Sequence, residues 1–145
     1  MESTDRTYIG IDYGSRRTGV AKSDPTGLIA SALVTIEARS RRHLLDQLHA
    51  VVDEHKPVGL VVGYPLLPSG DRSAKCDEVD RFVAGLKEFY GGSVHMVDES
   101  YTSVDAADII HAHGKRVGRD KKRIDRLAAV IILQRFLDER QQEQN

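Results

Sequence analysis

Three places in the chain carry carboxylates that structure alone explains poorly: Asp12, the pair Asp98-Glu99, and Asp125. Asp12 follows the short β-prone run Tyr8-Ile9-Gly10-Ile11 and directly precedes Tyr13-Gly14. The plain structural alternative there is a turn aspartate bonded to its own backbone. Asp98-Glu99 closes another β-prone run and leads into Ser100-Tyr101-Thr102-Ser103, which could equally cap a helix through Thr102 or Ser103. Asp125 is the most informative. Positions 125, 129, 132 and 136 share one helical stripe, and the other three are Ala129, Ile132 and Phe136. An ionised carboxylate in line with that stripe is costly unless a cation or a hydrogen-bond set satisfies it, although the helix dipole also favours an acid in a first turn. The small pair Ala128-Ala129 would let this helix approach a sheet closely and carry Asp125 towards the strand ends that hold Asp12 and Glu99. Carboxylates gathered from two strand ends and a helix start repel one another unless a metal neutralises them. Ligation by oxygen alone favours Mg²⁺ or Mn²⁺. One or two such ions activate water and stabilise the leaving oxygen of a phosphodiester.

The bases sit beside these acids. Between Lys115 and Arg126 the cations are Lys115, Arg116, Arg119, Lys121, Lys122, Arg123 and Arg126, against Asp120 and Asp125. Arg16-Arg17 comes just after Asp12, and Arg39, Arg41 and Arg42 open a helical stretch. A single basic cluster is usually a solvated face. Two clusters adjacent to two candidate metal acids suit a grip on a phosphate backbone, with Arg16, Arg17, Lys121, Lys122 and Arg123 as the candidate nucleic-acid contacts. Aromatic platforms are thin, with Tyr13, Tyr64 and Tyr101 beside the motifs and no Trp, so shape recognition of a structured nucleic acid fits better than base reading of single strands. The His111-Ala112-His113 segment lacks partners at zinc spacing. Cys76 has no recognisable nucleophile partner and reads as structural.

The elements that must position these groups follow from periodicity. Tyr8 to Gly14, Thr18 to Asp24 and Leu28 to Ile36 read as three strands joined by tight turns, an antiparallel meander. Ser40 is a plausible N-cap for a helix to His55, with Leu44, Leu45, Leu48, Val51 and Val52 at helical spacing and Pro57 stopping it. Val58 to Gly63 is an almost wholly apolar strand, as expected for a sheet interior covered on both faces. A loop from Tyr64 to Arg72 leads to a helix from about Ser73 to Tyr90. Ser93 to Val97 is a fifth strand. A short helix is expected at about Val104 to His111, a basic loop from His113 to Arg119, and a last helix from about Lys121 to Arg140 with a frayed tail over Gln141 to Asn145. The order βββ-α-β-α-β-α-α describes an α/β fold, one mixed five-stranded sheet flanked by helices in a single domain spanning residues 1–145.

Composition agrees. The 145 residues include 40% hydrophobic residues, and 21 Lys+Arg against 22 Asp+Glu give a net charge of −1, which excludes a disordered chain and a uniformly basic binder. The lone Cys76 excludes an intramolecular disulfide and fits a reducing compartment. Met1 to Thr7 is polar, and the longest apolar run, Leu127 to Leu133, is far short of the roughly 20 residues of a membrane span. The expectation is a cytoplasmic protein with no membrane contact.

Four segments in order resemble one family. Ile9-Gly10-Ile11-Asp12-Tyr13-Gly14-Ser15-Arg16-Arg17-Thr18-Gly19-Val20-Ala21 is similar to the opening signature of the YqgF (RuvX) family of pre-16S rRNA nucleases, also described as Holliday-junction-resolvase-like proteins of the RNase H-like fold. Val61-Val62-Gly63-Tyr64-Pro65-Leu66 with Gly70 resembles its glycine-proline segment, Asp98 to Ser103 its acidic segment, and Lys122-Arg123-Ile124-Asp125 through Gln134 its C-terminal helix. The resemblance spans about residues 7 to 140. It implies a metal-dependent nuclease acting on precursor rRNA or branched DNA; the small ribosomal subunit precursor is a candidate partner, and a monomer or homodimer is expected. By motif position the acids carried over are Asp12, Asp98, Glu99 and Asp125, with Asp12, Glu99 and Asp125 as the metal ligands. The residue after the Asp-Glu pair, commonly Arg in the family, is Ser100 here, and Arg16 or Arg123 are the candidates to stand in for it. A non-catalytic ribosome-assembly factor is the alternative within this reading. Asp12-x-Gly14 with Ser15 also resembles the phosphate-binding hairpin of actin-like ATPases and sugar kinases, which need two such lobes where this chain has length for one.

Overall fold

A computed structural model of the chain describes residues 5–99 and 120–144. Strands β1 (Tyr8–Asp12), β2 (Arg17–Ser23) and β3 (Ala30–Glu37) form the expected antiparallel meander, with Ile9 opposite Lys22 and Asp12 opposite Gly19. Helix α1 (Arg41–His55) starts where the sequence places it. The Ser40 hydroxyl accepts the His43 N–H at 3.1 Å, satisfying one of the free donors of the first turn. Lys56 closes the helix in the left-handed region (φ 47°), its N–H bonded to the Val52 carbonyl, and Pro57 cannot extend it. Strand β4 (Gly59–Tyr64) is buried almost throughout and runs parallel to β1; helix α2 (Cys76–Phe89) and strand β5 (Ser93–Asp98), parallel to β4, follow. The long helix α3 (Lys121–Gln144) ends the described chain, and the sheet order is β3-β2-β1-β4-β5.

Two boundaries, both of helices, differ from the sequence expectation by three residues or more. Helix α2 begins at Cys76 and not Ser73, because the preceding loop closes on itself through Leu67 N–H to the Asp71 carbonyl and Cys76 N–H to the Ser73 carbonyl. Helix α3 continues to Gln144 through the segment expected to fray; its Gln and Glu residues are good helix formers with no Gly or Pro among them. The expected helix at 104–111 and basic loop at 113–119 lie outside the described residues. No described helix is long and apolar enough to cross a membrane.

Strand alternation divides the core in two. On one face Ile9, Ile11, Val20, Leu60 and Val62 pack against Leu44 and Leu48 of α1 and Phe82 and Leu86 of α2. On the other, Tyr8, Ala21, Val61 and Val97 pack against Ala129, Ile132, Leu133 and Phe136 of α3. Three glycines on this second face seat α3. A Cβ on Gly10 would stand 2.6 Å from the Leu133 Cβ, one on Gly63 2.6 Å from Ile132 Cδ1, and one on Gly19 would run into the Asp125 backbone carbonyl. The helix therefore rests almost on the backbone of β1, β2 and β4, and its first turn is fixed over the end of the hairpin.

Candidate active site

That seating decides which acids meet. Asp12 has the strand parity of Tyr8 and Gly10, so its side chain rises on the α3 face of β1. Glu99 follows β5, and its N–H donates to the Tyr64 carbonyl at 3.0 Å, prolonging the β4–β5 ladder by one residue. Its carboxylate lies over Gly63, where a Cβ would come within 2.5 Å of Oε2. Asp125 reaches the same place from the first turn of α3. Together they face a cleft of about 360 Å³, lined also by Ser15, Arg16, Arg17, Pro65 and Lys75.

The electrostatics are those of crowded carboxylates. Asp12 is half-buried as a residue, but its carboxyl lies on the cleft floor away from water. That burial, then the charge and hydrogen bond of Glu99 and the charge of Asp125, hold it well above the usual carboxylate range, with Lys75 pulling the other way. Glu99 is also raised. Its burial outweighs the Asp12 hydrogen bond and the Lys75 charge, which both lower it, while Asp98 pushes it further up. Each carboxyl thus resists ionisation, Asp12 the more strongly of the two. Asp125 is held differently: Arg17 Nε donates to its Oδ2 at 2.8 Å in a partly exposed ion pair.

Asp98, the alternate acid, ends β5 exposed and outside the cleft lining, and its backbone carbonyl accepts from Arg135 at 2.8 Å. Among the candidate phosphate contacts, Arg16 and Arg17 line the cleft. Lys121, Lys122 and Arg123 are exposed at the start of α3, Lys122 3.5 Å from Glu37 and the Arg123 N–H on Asp120 Oδ1 at 3.0 Å. They flank the cleft and do not line it. Tyr13 lines the cleft while its ring stacks on Phe82 at 4.6 Å between centroids, and Tyr64 is held between Arg72 and Asp80. Cys76 is buried, its sulfur 3.7 Å from the Pro65 carbonyl, and serves packing. Lys75 escapes sequence reasoning: among the described residues it is the one cation on the α2 side of the cleft lining, placed there by the loop that ends at α2.

All the acids of the cleft are carboxylates, a donor set for a hard divalent cation such as Mg²⁺ or Mn²⁺. Two neighbouring carboxyls whose negative charge is disfavoured by burial and by each other are a place where a cation's charge would be favourable. Among the described residues no three His, Cys, Asp or Glu side chains already stand together as a ligand group. The reason is visible in the third acid, whose carboxylate is turned to Arg17.

The family model described as Holliday junction resolvase, RuvX, matches residues 6–139. A protein of Koribacter versatilis named "Putative pre-16S rRNA nuclease" is 36% identical over 132 residues, covering 91% of this chain and 86% of that protein. A relative of the same name from Rippkaea orientalis is 40% identical over 132 residues, covering 91% and 95%. Among solved structures, the RuvC of T. thermophilus in complex with a Holliday junction substrate aligns with a TM-score of 0.58 at 14% identity, covering 94% of this chain and 96% of that one. The Fowlpox virus resolvase, in complex with junction DNA, aligns at 0.56 and 9%, covering 92% and 97%. These structural likenesses establish the RNase H-like architecture that the sequence resemblance implied.

Proposed function

The chain belongs to the RuvX family, and from that membership we propose that it is a divalent-metal-dependent nuclease that hydrolyses phosphodiester bonds in cytoplasmic processing of the 5′ end of pre-16S rRNA. The observation that carries the reading is the meeting of Asp12, Glu99 and Asp125 at one cleft whose walls are Arg16, Arg17 and Lys75. Relatives sharing more than a third of their residues over nine-tenths of the chain bear the rRNA nuclease name. The description of the family model favours a second substrate, branched DNA.

Asp12 and Glu99 would hold the cation, with Asp125 joining them on exchanging its Arg17 partner for the ion. The ion, when bound, supplies activation of water and neutralisation of the leaving oxygen. Arg16 and Lys75 then bind the non-bridging phosphate oxygens and orient the phosphodiester over the carboxyls. Arg17 couples the two parts of the site, since the guanidinium released from Asp125 becomes available to phosphate.

The test is incubation of the protein with precursor rRNA and with a four-way DNA junction, with and without Mn²⁺. Cleavage that depends on the ion and vanishes in Asp12→Asn is expected; cleavage that persists in Asp12→Asn overturns the assignment. A readout independent of turnover is the melting temperature, which Mn²⁺ raises for wild type by binding the folded state and leaves unmoved for Asp12→Asn.

A further inference from the structure

Beyond the cleft, a second concavity of about 780 Å³ lies on the other side of the β1–β2 hairpin, lined by Ser15, Arg16, Arg17, Glu37, Ala38, Arg39 and His43. Ser15, Arg16 and Arg17 line both cavities, so the hairpin tip is a shared wall. We propose that this groove is a second nucleic-acid site, which takes the phosphodiester backbone of the strand that leaves the cleft. The proposal deepens the nuclease reading and rests on it for the identity of the ligand.

The argument is one of charge left over. Arg17 is paired with Asp125 on the cleft side, and Glu37, the one acid among the described residues of the groove lining, is 3.5 Å from Lys122. Arg16 and Arg39 are exposed and have no acid partner among the described residues. Arg16 stands on the wall that the groove shares with the cleft and Arg39 lines the groove alone, so the charge of Arg39 is used neither by the fold nor by the cleft. A string of phosphates accounts for both arginines. Their spacing is also built in. Arg17 pairs with Glu37 in the β2–β3 register, and the Ala38 N–H donates to the Arg16 carbonyl at 3.0 Å, so the backbones bearing Arg16 and Arg39 are stitched together. The Arg39 N–H donates to His43 Nδ1 at 3.2 Å. That bond leaves the neutral ring with its proton on Nε2, a further donor at the groove. Arg41 and Arg42, exposed at the start of α1, add positive charge beside it. With no Phe, Tyr or Trp among the described lining residues and three guanidiniums in it, the groove favours the sugar-phosphate backbone of RNA or DNA as its ligand.

The test is equilibrium binding of the full chain, in EDTA to prevent cleavage, to a labelled RNA duplex and a labelled DNA junction over a range of salt. For a duplex, each phosphate contact contributes about 0.9 to the slope of log affinity against log salt. Arg39→Ala is expected to lower that slope by about 1 and to weaken binding several-fold at 0.1 M salt. Arg39→Lys restores most of the slope, and Lys87→Ala, on the exposed last turn of α2, leaves it unchanged. Unaltered melting temperatures keep folding out of the comparison, since Arg39 is exposed. Wild-type binding with the same slope in Arg39→Ala overturns the groove and leaves the nuclease reading standing. A lowered slope in a protein that cleaves nothing under any metal condition supports the groove while removing the nuclease reading. A wild type that binds neither nucleic acid removes both.

Discussion

The contact of α3 with β2 makes Gly19 the position where the smallest side chain does the most damage. A methyl at Gly19 would overlap the Asp125 carbonyl oxygen and approach the Arg126 nitrogen to 3.0 Å. Both are backbone atoms, so no rotamer change relieves the collision. Ordinary contacts of such atoms lie near 3.5–4 Å, so strand and helix must separate by more than about 1 Å. A gap of that size forfeits a quarter to a half of the dispersion attraction across the contact, and overpacking of this kind costs about 1–3 kcal/mol. Replacing Gly by Ala within a strand returns about 0.5–1 kcal/mol of chain entropy. The steric term wins, and Gly19→Ala is expected to lose about 2 kcal/mol, a fall in melting temperature of roughly 6–10 °C for a chain of this size. Urea denaturation followed by circular dichroism measures it, with Gly91→Ala as the control because a Cβ there meets nothing within 4 Å. The same separation carries Asp125 away from Asp12 and Glu99, so nuclease activity falls further than stability explains. If Gly19→Ala matches the Gly91→Ala control in stability, the close seating of α3 on the hairpin is wrong, and with it the account of how Asp125 reaches the cleft.

Two further expectations concern local structure. The Asp24 carboxyl is pulled down to about 2, chiefly by the Thr26 hydroxyl and then by the Ile29 and Leu28 N–H groups that donate to it. Because the folded value lies below the ordinary 3.8, the turn's contribution to stability is complete above about pH 4 and is lost as pH falls through about 2. An NMR titration that finds Asp24 unshifted contradicts these bonds. Tyr90 donates its buried hydroxyl to the Pro57 carbonyl at 2.9 Å, so Tyr90→Phe is expected to cost about 1 kcal/mol in equilibrium unfolding by stranding that acceptor; no measurable loss would mean the carbonyl finds water instead.

The elements themselves were legible because each is written in local terms: the alternation of β1 to β3, the Ser40 cap and Pro57 stop of α1, the Leu and Val spacing of α1 and α2. The helix stripe of Asp125, Ala129, Ile132 and Phe136 was equally local, and in the fold the last three are buried against the sheet. What was not legible depends on contacts between distant segments. Gly10, Gly19 and Gly63 look like ordinary β-strand glycines until a helix that begins only at Lys121 is laid over them. Lys75 looks like any helix-start lysine until the β4–α2 loop turns it to the acids. The pairing of Arg17 with Asp125, 108 residues apart, has no signature in either segment. These are consequences of topology.

The adjacent acids Asp98 and Glu99 show where local reasoning could have gone one step further. In β5 the odd positions face α3: Val97 is buried with Leu133 and Phe136, and His95 lies 4.6 Å from Phe136 between ring centroids. The even positions point to the opposite face, where Val94 packs with the other half of the core and Met96 is exposed. Period-two alternation then gives Glu99 to the α3 face and Asp98 to the other. In β1 the same count gives Asp12 to the face of Tyr8 and Gly10. An acid can meet Asp125 only from the face that α3 covers, so parity selects Asp12 and Glu99 together. What the sequence lacked was the one bit that says which face the last helix covers. The small pair Ala128-Ala129 announces close approach without naming the side, and that bit is written in Gly10, Gly19 and Gly63, which leave only the α3 face of β1, β2 and β4 bare enough to receive it.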